Sequence, residues 1–258
     1  MTNIVLNEKA CAEYALENLI LGSKPTETLG RVARYYYSIG YKKKEIGSLL
    51  EDFMLKCDPT INIVKWQGVI DKLANMSDKY ALFDIAGISI TQSEMEKIQA
   101  IEGKMLQRLM FTMLCLAKYS NAINPNNNNW VNKKDKDIFT LSNIAATLKR
   151  QSLMINDLWT IGYVGYSRVV DNINLNVKIV DDESPEVLFI SDFRNLGNQY
   201  MRYCGEKFME CQCCGKVVRQ NKNVQKYCSE CAVEVHRQEM AEKYHKQLMA
   251  QHQYNYKE

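Results

Sequence analysis

No apolar run in this sequence approaches the ~18–20 residues that span a bilayer, so no membrane segment is expected. The opening stretch MTNIVLNEKACAEYAL lacks a basic patch followed by an apolar core, so a secretory signal is not expected either. Charge nearly cancels: 33 Lys and Arg against 30 Asp and Glu leave +3 at pH 7, too little by itself to name a nucleic-acid partner. Histidine is scarce, with three in all, at positions 236, 245 and 252. The chain also lacks a phosphate-cradling glycine loop and any Ser/His/Asp or Cys/His constellation. No enzyme class has positive support, and the expectation is a non-enzymatic protein of the cytoplasm.

What the chain does have is cysteine in one place. Five of its nine cysteines fall in CQCCGKVVRQNKNVQKYCSEC, from Cys211 to Cys231. The others (Cys11, Cys57, Cys115, Cys204) are scattered. An odd total with one tight cluster suits a reducing compartment and a metal site, not a disulfide framework. The frame is Cys211-x2-Cys214 followed by Cys228-x2-Cys231. Two thiolate pairs at this spacing can close a tetrahedral shell with bonds of ~2.3 Å around Zn2+. Gly215 stands where the turn after the first pair needs a positive φ. Lys216 and Lys226 bring positive charge towards a doubly negative centre. Without a metal, this short charged segment has almost no core of its own. Cys213 breaks the frame and is expected to be free.

A catalytic zinc keeps an open position beside a histidine or carboxylate. Four cysteines close the shell, and no histidine precedes His236, as a zinc deaminase would need. His236 itself is expected to be an exposed helix residue. The metal is therefore expected to be structural. The strings CQCCGK and KYCSECA resemble the zinc-ribbon and treble-clef families. Those families often place the last pair at the start of a helix, and CAVEVHRQEMAEKYHKQLMAQ is expected to be that helix. Its partial apolar stripe, Val233, Met240, Tyr244 and Leu248, can pack back on the protein or on a second copy, giving a possible homodimer.

The fold expected is mainly α (α+β): a helical domain over 1–80, a winged-helix-like domain over 81–184, a connector over 185–207, and a zinc ribbon with terminal helix over 208–258. In the first part, Pro25 opens a helix and Gly40 closes it, and the next helix puts Ile46, Leu49, Leu50 and Phe53 on one face. This pair is a helical hairpin or a helix-turn-helix. Tyr35, Tyr36 and Tyr37 serve core packing or surface stacking. Thr91-Gln92-Ser93-Glu94 reads as a capping box starting a helix that runs from Gln92 to about Ser120. The asparagine-rich NPNNNNWVNKKDKD is a loop pinned by Trp130. DIFTL reads as a strand, SNIAATLK as a short helix with Ser142 as N-cap, and RQSLMINDLWTIGYV as a helix with Leu153, Ile155, Leu158 and Ile161 apolar. GYSRVV, DNIN and LNVKIV then read as strand, turn and strand. This order resembles winged-helix domains, from about Gln92 to Val180; another small α+β topology is the alternative.

A winged helix followed by a zinc ribbon implies DNA or RNA as partner. The helix from about Arg150 would enter the major groove. Lys149, Arg150, Gln151, Ser152 and Asn156 are then placed for phosphates or base edges, and Arg168 with the DNIN turn for the flanking backbone. In the ribbon, Lys216, Arg219, Lys222 and Lys226 form a stripe that can track phosphates. The overall character of the chain is similar to that of uncharacterised proteins of phages and mobile elements of low-GC bacteria. This implies a replication accessory or a regulator. The alternative is a protein-interaction factor, such as an inhibitor of a host nuclease or defence complex.

Overall fold

The computed structural model describes residues 4–167, 174–237, 239, 240, 243 and 244. Four helices come first: α1 (Glu8–Glu17), α2 (Pro25–Ser38), α3 (Lys43–Cys57) and α4 (Ile63–Asn75). Asn7 caps α1 by accepting the Ala10 N–H at 2.7 Å. Gly40, at φ 103°, makes the α2–α3 turn. The four helices pack around their own cluster of buried side chains, including Leu29, Val32, Ile46, Leu50, Phe53 and Ile70. Tyr35 and Tyr36 pack against that cluster, whereas Tyr37 is exposed. The Glu8 carboxylate, almost buried, accepts two bonds from Arg34 at 2.7 Å and the Phe83 N–H at 3.1 Å. This ties the bundle to the chain that leaves it.

A larger cluster of buried side chains is centred on α6 (Lys104–Ile123). Before it come β1 (Ile88–Thr91) and α5 (Gln92–Gln99). The capping box forms: the Glu94 carboxylate accepts the Thr91 N–H at 2.8 Å, and Thr91 Oγ1 faces the Glu94 N–H at 3.5 Å. The single helix expected from Gln92 to Ser120 is corrected to two. Gly103, at φ 91°, breaks it, a backbone geometry that a helix cannot continue through. α6 buries ten residues on all sides, among them Leu109, Phe111, Met113 and Leu116.

β2 (Trp130–Val131), α7 (Asp135–Leu141), α8 (Leu148–Thr160), β3 (Val164–Tyr166) and β4 (Leu175–Val177) follow. The three strands form one antiparallel sheet in the order β2-β4-β3. Two further expectations are corrected here. DIFTL belongs to helix α7, not to a strand. Asp135 and Asp137 in its first turn suit the positive end of a helix, and Ile138 and Phe139 enter the core. The strand instead lies at Trp130–Val131, at the end of the asparagine loop. There Asn121 Oδ1 accepts from Asn127 and from the Asn129 N–H, folding the loop on itself. Ser142 ends α7 and does not begin a helix, and 143–147 is not helical. Thr147 caps α8, its hydroxyl facing the Arg150 N–H at 3.4 Å.

β5 (Glu186–Ile190) pairs antiparallel with β1. α9 (Leu196–Tyr203) then packs on α6 and on the hairpin of β6 (Phe208–Glu210) and β7 (Val217–Arg219). Residues 229–237 are helical. No described helix is long and apolar enough to cross a membrane.

α9 sits so close to α7 that a Cβ added at Gly197 would lie 1.9 Å from the Ser142 carbonyl oxygen. Gly197→Ala therefore should destabilise by about 1–3 kcal/mol. Gly47→Ala, in α3 with open space around it, should stabilise by about 0.5–1 kcal/mol. Urea denaturation of the two variants checks the contrast.

Candidate metal centre and exposed basic face

The hairpin β6–β7 turns through the first cysteine pair. The Gly215 N–H donates to the Cys211 carbonyl at 2.8 Å, and the Cys211 N–H to the Lys216 carbonyl at 3.0 Å. Gly215 takes φ 73°, so the turn favours glycine there. The second pair arrives at the start of the terminal helix, with the Ala232 N–H bonded to the Cys228 carbonyl at 2.9 Å. The Gln212 N–H reaches the Lys226 carbonyl at 3.0 Å and holds the two halves together.

The four sulfurs of Cys211, Cys214, Cys228 and Cys231 lie within 4.8 Å of one another, so the cluster can hold a metal ion. Cys214 and Cys228 have their sulfurs 3.9 Å apart. A tetrahedral shell with ~2.3 Å bonds needs sulfurs roughly 3.8 Å apart, so the residues fit a zinc-sized ion. Backbone N–H groups point at the sulfurs: Cys228 N lies 3.2 Å from Cys211 Sγ, and Cys231 N 3.4 Å from Cys228 Sγ. Burial alone would raise the Cys211 thiol, but N–H groups of Cys214, Cys228 and Cys213 outweigh it and bring the thiol down to about 6. Burial pushes Cys214 up, and the neighbouring sulfurs of Cys228 and Cys214 push Cys231 up. Four crowded sulfurs resist ionising together, and a bound divalent cation relieves that repulsion.

Cys213 is exposed and outside the cluster, and His236 is an exposed residue of the terminal helix. Arg194 was not legible in the sequence. Its Nη2 donates to the Cys214 carbonyl at 2.5 Å while its guanidinium grips Asp192 at 2.7–3.0 Å. The Asp192 carboxylate, with help from Cys214, holds Arg194 above its usual range. It lies twenty residues before Cys214, and no local pattern links the two.

Of the residues expected to meet nucleic acid, Lys149, Arg150, Ser152 and Asn156 are exposed on α8. Gln151 is corrected: it is 9 % exposed, and its amide donates to the Ala146 carbonyl at 2.9 Å, so it faces the core. Of the apolar residues of this segment, Met154, Ile155 and Leu158 are buried, whereas Leu153 and Ile161 are exposed. Arg168 and most of the DNIN turn lie outside the described residues. Arg219, Lys222 and Lys226 are exposed on the cysteine module. Lys216 is partly buried and pairs with Glu230 at 3.6 Å. It faces a cleft of about 450 Å³ that Lys133 and Arg194 also line. Lys133 sits at the entry to α7, on a segment that read only as loop. In the terminal helix, Val233, Met240 and Tyr244 are exposed, so they do not pack back on this chain; Leu248 lies outside the described residues.

Comparison with known proteins assigns no family: no family model matches the chain, no curated protein matches it significantly, and no solved structure does. The chain is mainly helical with short strands and a C-terminal four-cysteine cluster able to chelate a metal.

Cys213→Ser should leave metal content unchanged at one ion per chain, whereas Cys214→Ser should lose most of it. Metal analysis of the two purified variants decides; loss in the Cys213 variant would overturn the ligand set.

Proposed function

We propose that this protein binds nucleic acid without catalysing a reaction, using a winged-helix unit and a module held by a structural Zn2+. The observation that carries the reading is the order helix α6, strand β2, helices α7 and α8, strands β3 and β4, with the sheet arranged β2-β4-β3 and α8 open to solvent. In a winged helix the second helix of the motif's pair enters the major groove, and the strands support it. α8 offers Lys149, Arg150, Ser152 and Asn156 there. Its N-terminus adds the positive end of the helix dipole, suited to phosphate. Arg219, Lys222 and Lys226 extend the cationic surface onto the cysteine module. Lys133, Arg194 and Lys216 line a cleft beside α7, together with Asp137 and Glu230.

The metal's task in this reading is to hold shape. Four thiolates fill a tetrahedral shell and leave no place for a reacting water, and the carboxylate of Glu230 is turned to Lys216. What the ion supplies when bound is folding free energy for a segment with few buried side chains. The biological setting implied by the sequence resemblance is a phage or mobile-element replication accessory or regulator.

A protein partner is the second reading. The exposed stripe Val233, Met240 and Tyr244 on the terminal helix favours it, because apolar side chains at helical spacing without cover suit a helix-to-helix contact, including one with a second copy.

Binding of random-sequence DNA and RNA over a salt series tests the main reading. Removing Lys222 and Lys226 together should weaken binding evenly across sequences and flatten the salt slope by up to about one unit per lost phosphate contact. Arg150→Ala should also change sequence preference, if duplex bases are read, at a cost of about 1–3 kcal/mol. Absence of salt-dependent binding to any nucleic acid would pass the function to the protein-partner reading.

A further inference from the structure

α8 carries more than cations on its open side. Leu148 is 78 % exposed, Trp159 50 % and Leu153 45 %, and Tyr166 on the adjoining strand β3 is 46 % exposed. Leu148, Ser152 and Trp159 lie four and seven residues apart, hence on one stripe of the helix. At the end of that stripe the Trp159 ring meets Tyr166, with centroids 6.1 Å apart and planes at 48°. Two large π surfaces thus stand side by side, half open to solvent, on the face assigned to nucleic acid.

A duplex has little use for them. Its bases are stacked on one another and present only their edges in the groove, which hydrogen-bonding side chains read. Unpaired bases present whole faces, and aromatic rings beside cations take those faces whatever the base. The charges on this surface agree in sign with such a strand. Lys149 stands exposed at the N-terminal end of α8, about 15 Å along the axis from Trp159, whereas Arg150, nine residues from Trp159, lies on the opposite flank of the helix. Asp157 is exposed too, but two residues from Trp159 place it on the far flank of the helix. The carboxylate that acts on Tyr166 is Asp135 at the start of α7. Burial first, and the Asp135 charge after it, raise the Tyr166 phenol above its usual range.

We propose that Trp159 and Tyr166 form a stacking platform for unpaired bases, so that the α8 face takes single-stranded nucleic acid in preference to a duplex. The proposal rests on the nucleic-acid reading and narrows it. Trp159 and Tyr166 hold bases by their faces, while Lys149 takes a phosphate of the same strand further along the helix.

The test uses the full-length, metal-loaded protein with a fluorescein-labelled oligothymidine strand and a random duplex of equal length. The strand should bind more tightly than the duplex and quench tryptophan fluorescence. Trp159→Ala should weaken strand binding about ten- to a hundred-fold while leaving duplex binding within about twofold. Trp159→Phe, which keeps a ring in the fold, should retain most of the affinity and lose most of the quenching, since Trp66 is on α4 and Trp130 stands two strands away from β3 in the sheet. If nucleic acid binds but Trp159→Ala has no effect on the strand, or the duplex is preferred, the platform is overturned and the nucleic-acid reading stands. Failure to bind either strand or duplex overturns both and leaves the aromatic face to a protein partner.

Discussion

The cysteine module is held to the rest of the protein by one short helix, and the arrangement of the exposed basic residues depends on that attachment. Asn198, buried in α9, uses both ends of its amide: it accepts from Asn143 at 3.0 Å and donates to the Val217 carbonyl of β7 at 3.0 Å. One side chain therefore joins the turn before α8 to the hairpin that carries the first cysteine pair. Gly197 lets α9 approach the Ser142 carbonyl, and Tyr200 anchors the helix to α6 through Gln107 at 3.0 Å. Arg194, just before α9, reaches the Cys214 carbonyl. Each of these polar groups is costly to bury unpaired, so the set favours one docking geometry over alternatives.

A second buried polar pair fixes the other end of the same unit. Lys118 of α6 bonds Glu94 at 2.9–3.0 Å in the core, and Glu94 also accepts the Asp181 N–H at 2.9 Å. Lys118 reaches Asp182 as well, at 2.8 Å. The chain leaving β4 is thereby held against α5 and α6 before it crosses to pair with β1. The three-stranded sheet, the β1–β5 pair and α9 are thus all seated on α6, which explains why that helix is buried nearly all round.

Much of this was legible in the sequence where a local rule is strong. Pro25 and Gly40 bound α2, Thr91 and Glu94 form their capping box, and the four ligand-type cysteines converge as their spacing requires. The misreadings fall where tertiary packing overrides local preference. Ile138, Phe139 and Thr140 have strand propensity, yet two neighbouring apolar side chains reach the core from the middle of a short helix, and the acidic first turn supports it. β2 is two residues long and borrows its identity from pairing with β4, so no periodicity could announce it. The break at Gly103 lies within a strongly apolar helical pattern that hides it. Gln151 looked like a surface residue because glutamine usually is one; its inward turn follows from the helix phase set by Met154, Ile155 and Leu158. Asn198 and Arg194 act across the chain, and sequence spacing carries no trace of such contacts.

The central claim is that a metal held by four cysteines does structural work, and that α9 passes its effect into the α6–α8 unit. Amide hydrogen exchange of the full chain, metal-loaded and after chelation, measures this directly. The account predicts that removing the metal lowers protection across 208–231 and also in α9 and the turn at 142–147, while the α1–α4 bundle stays unchanged. Equal protection in the two states, or a loss confined to the cysteine segment, would contradict it.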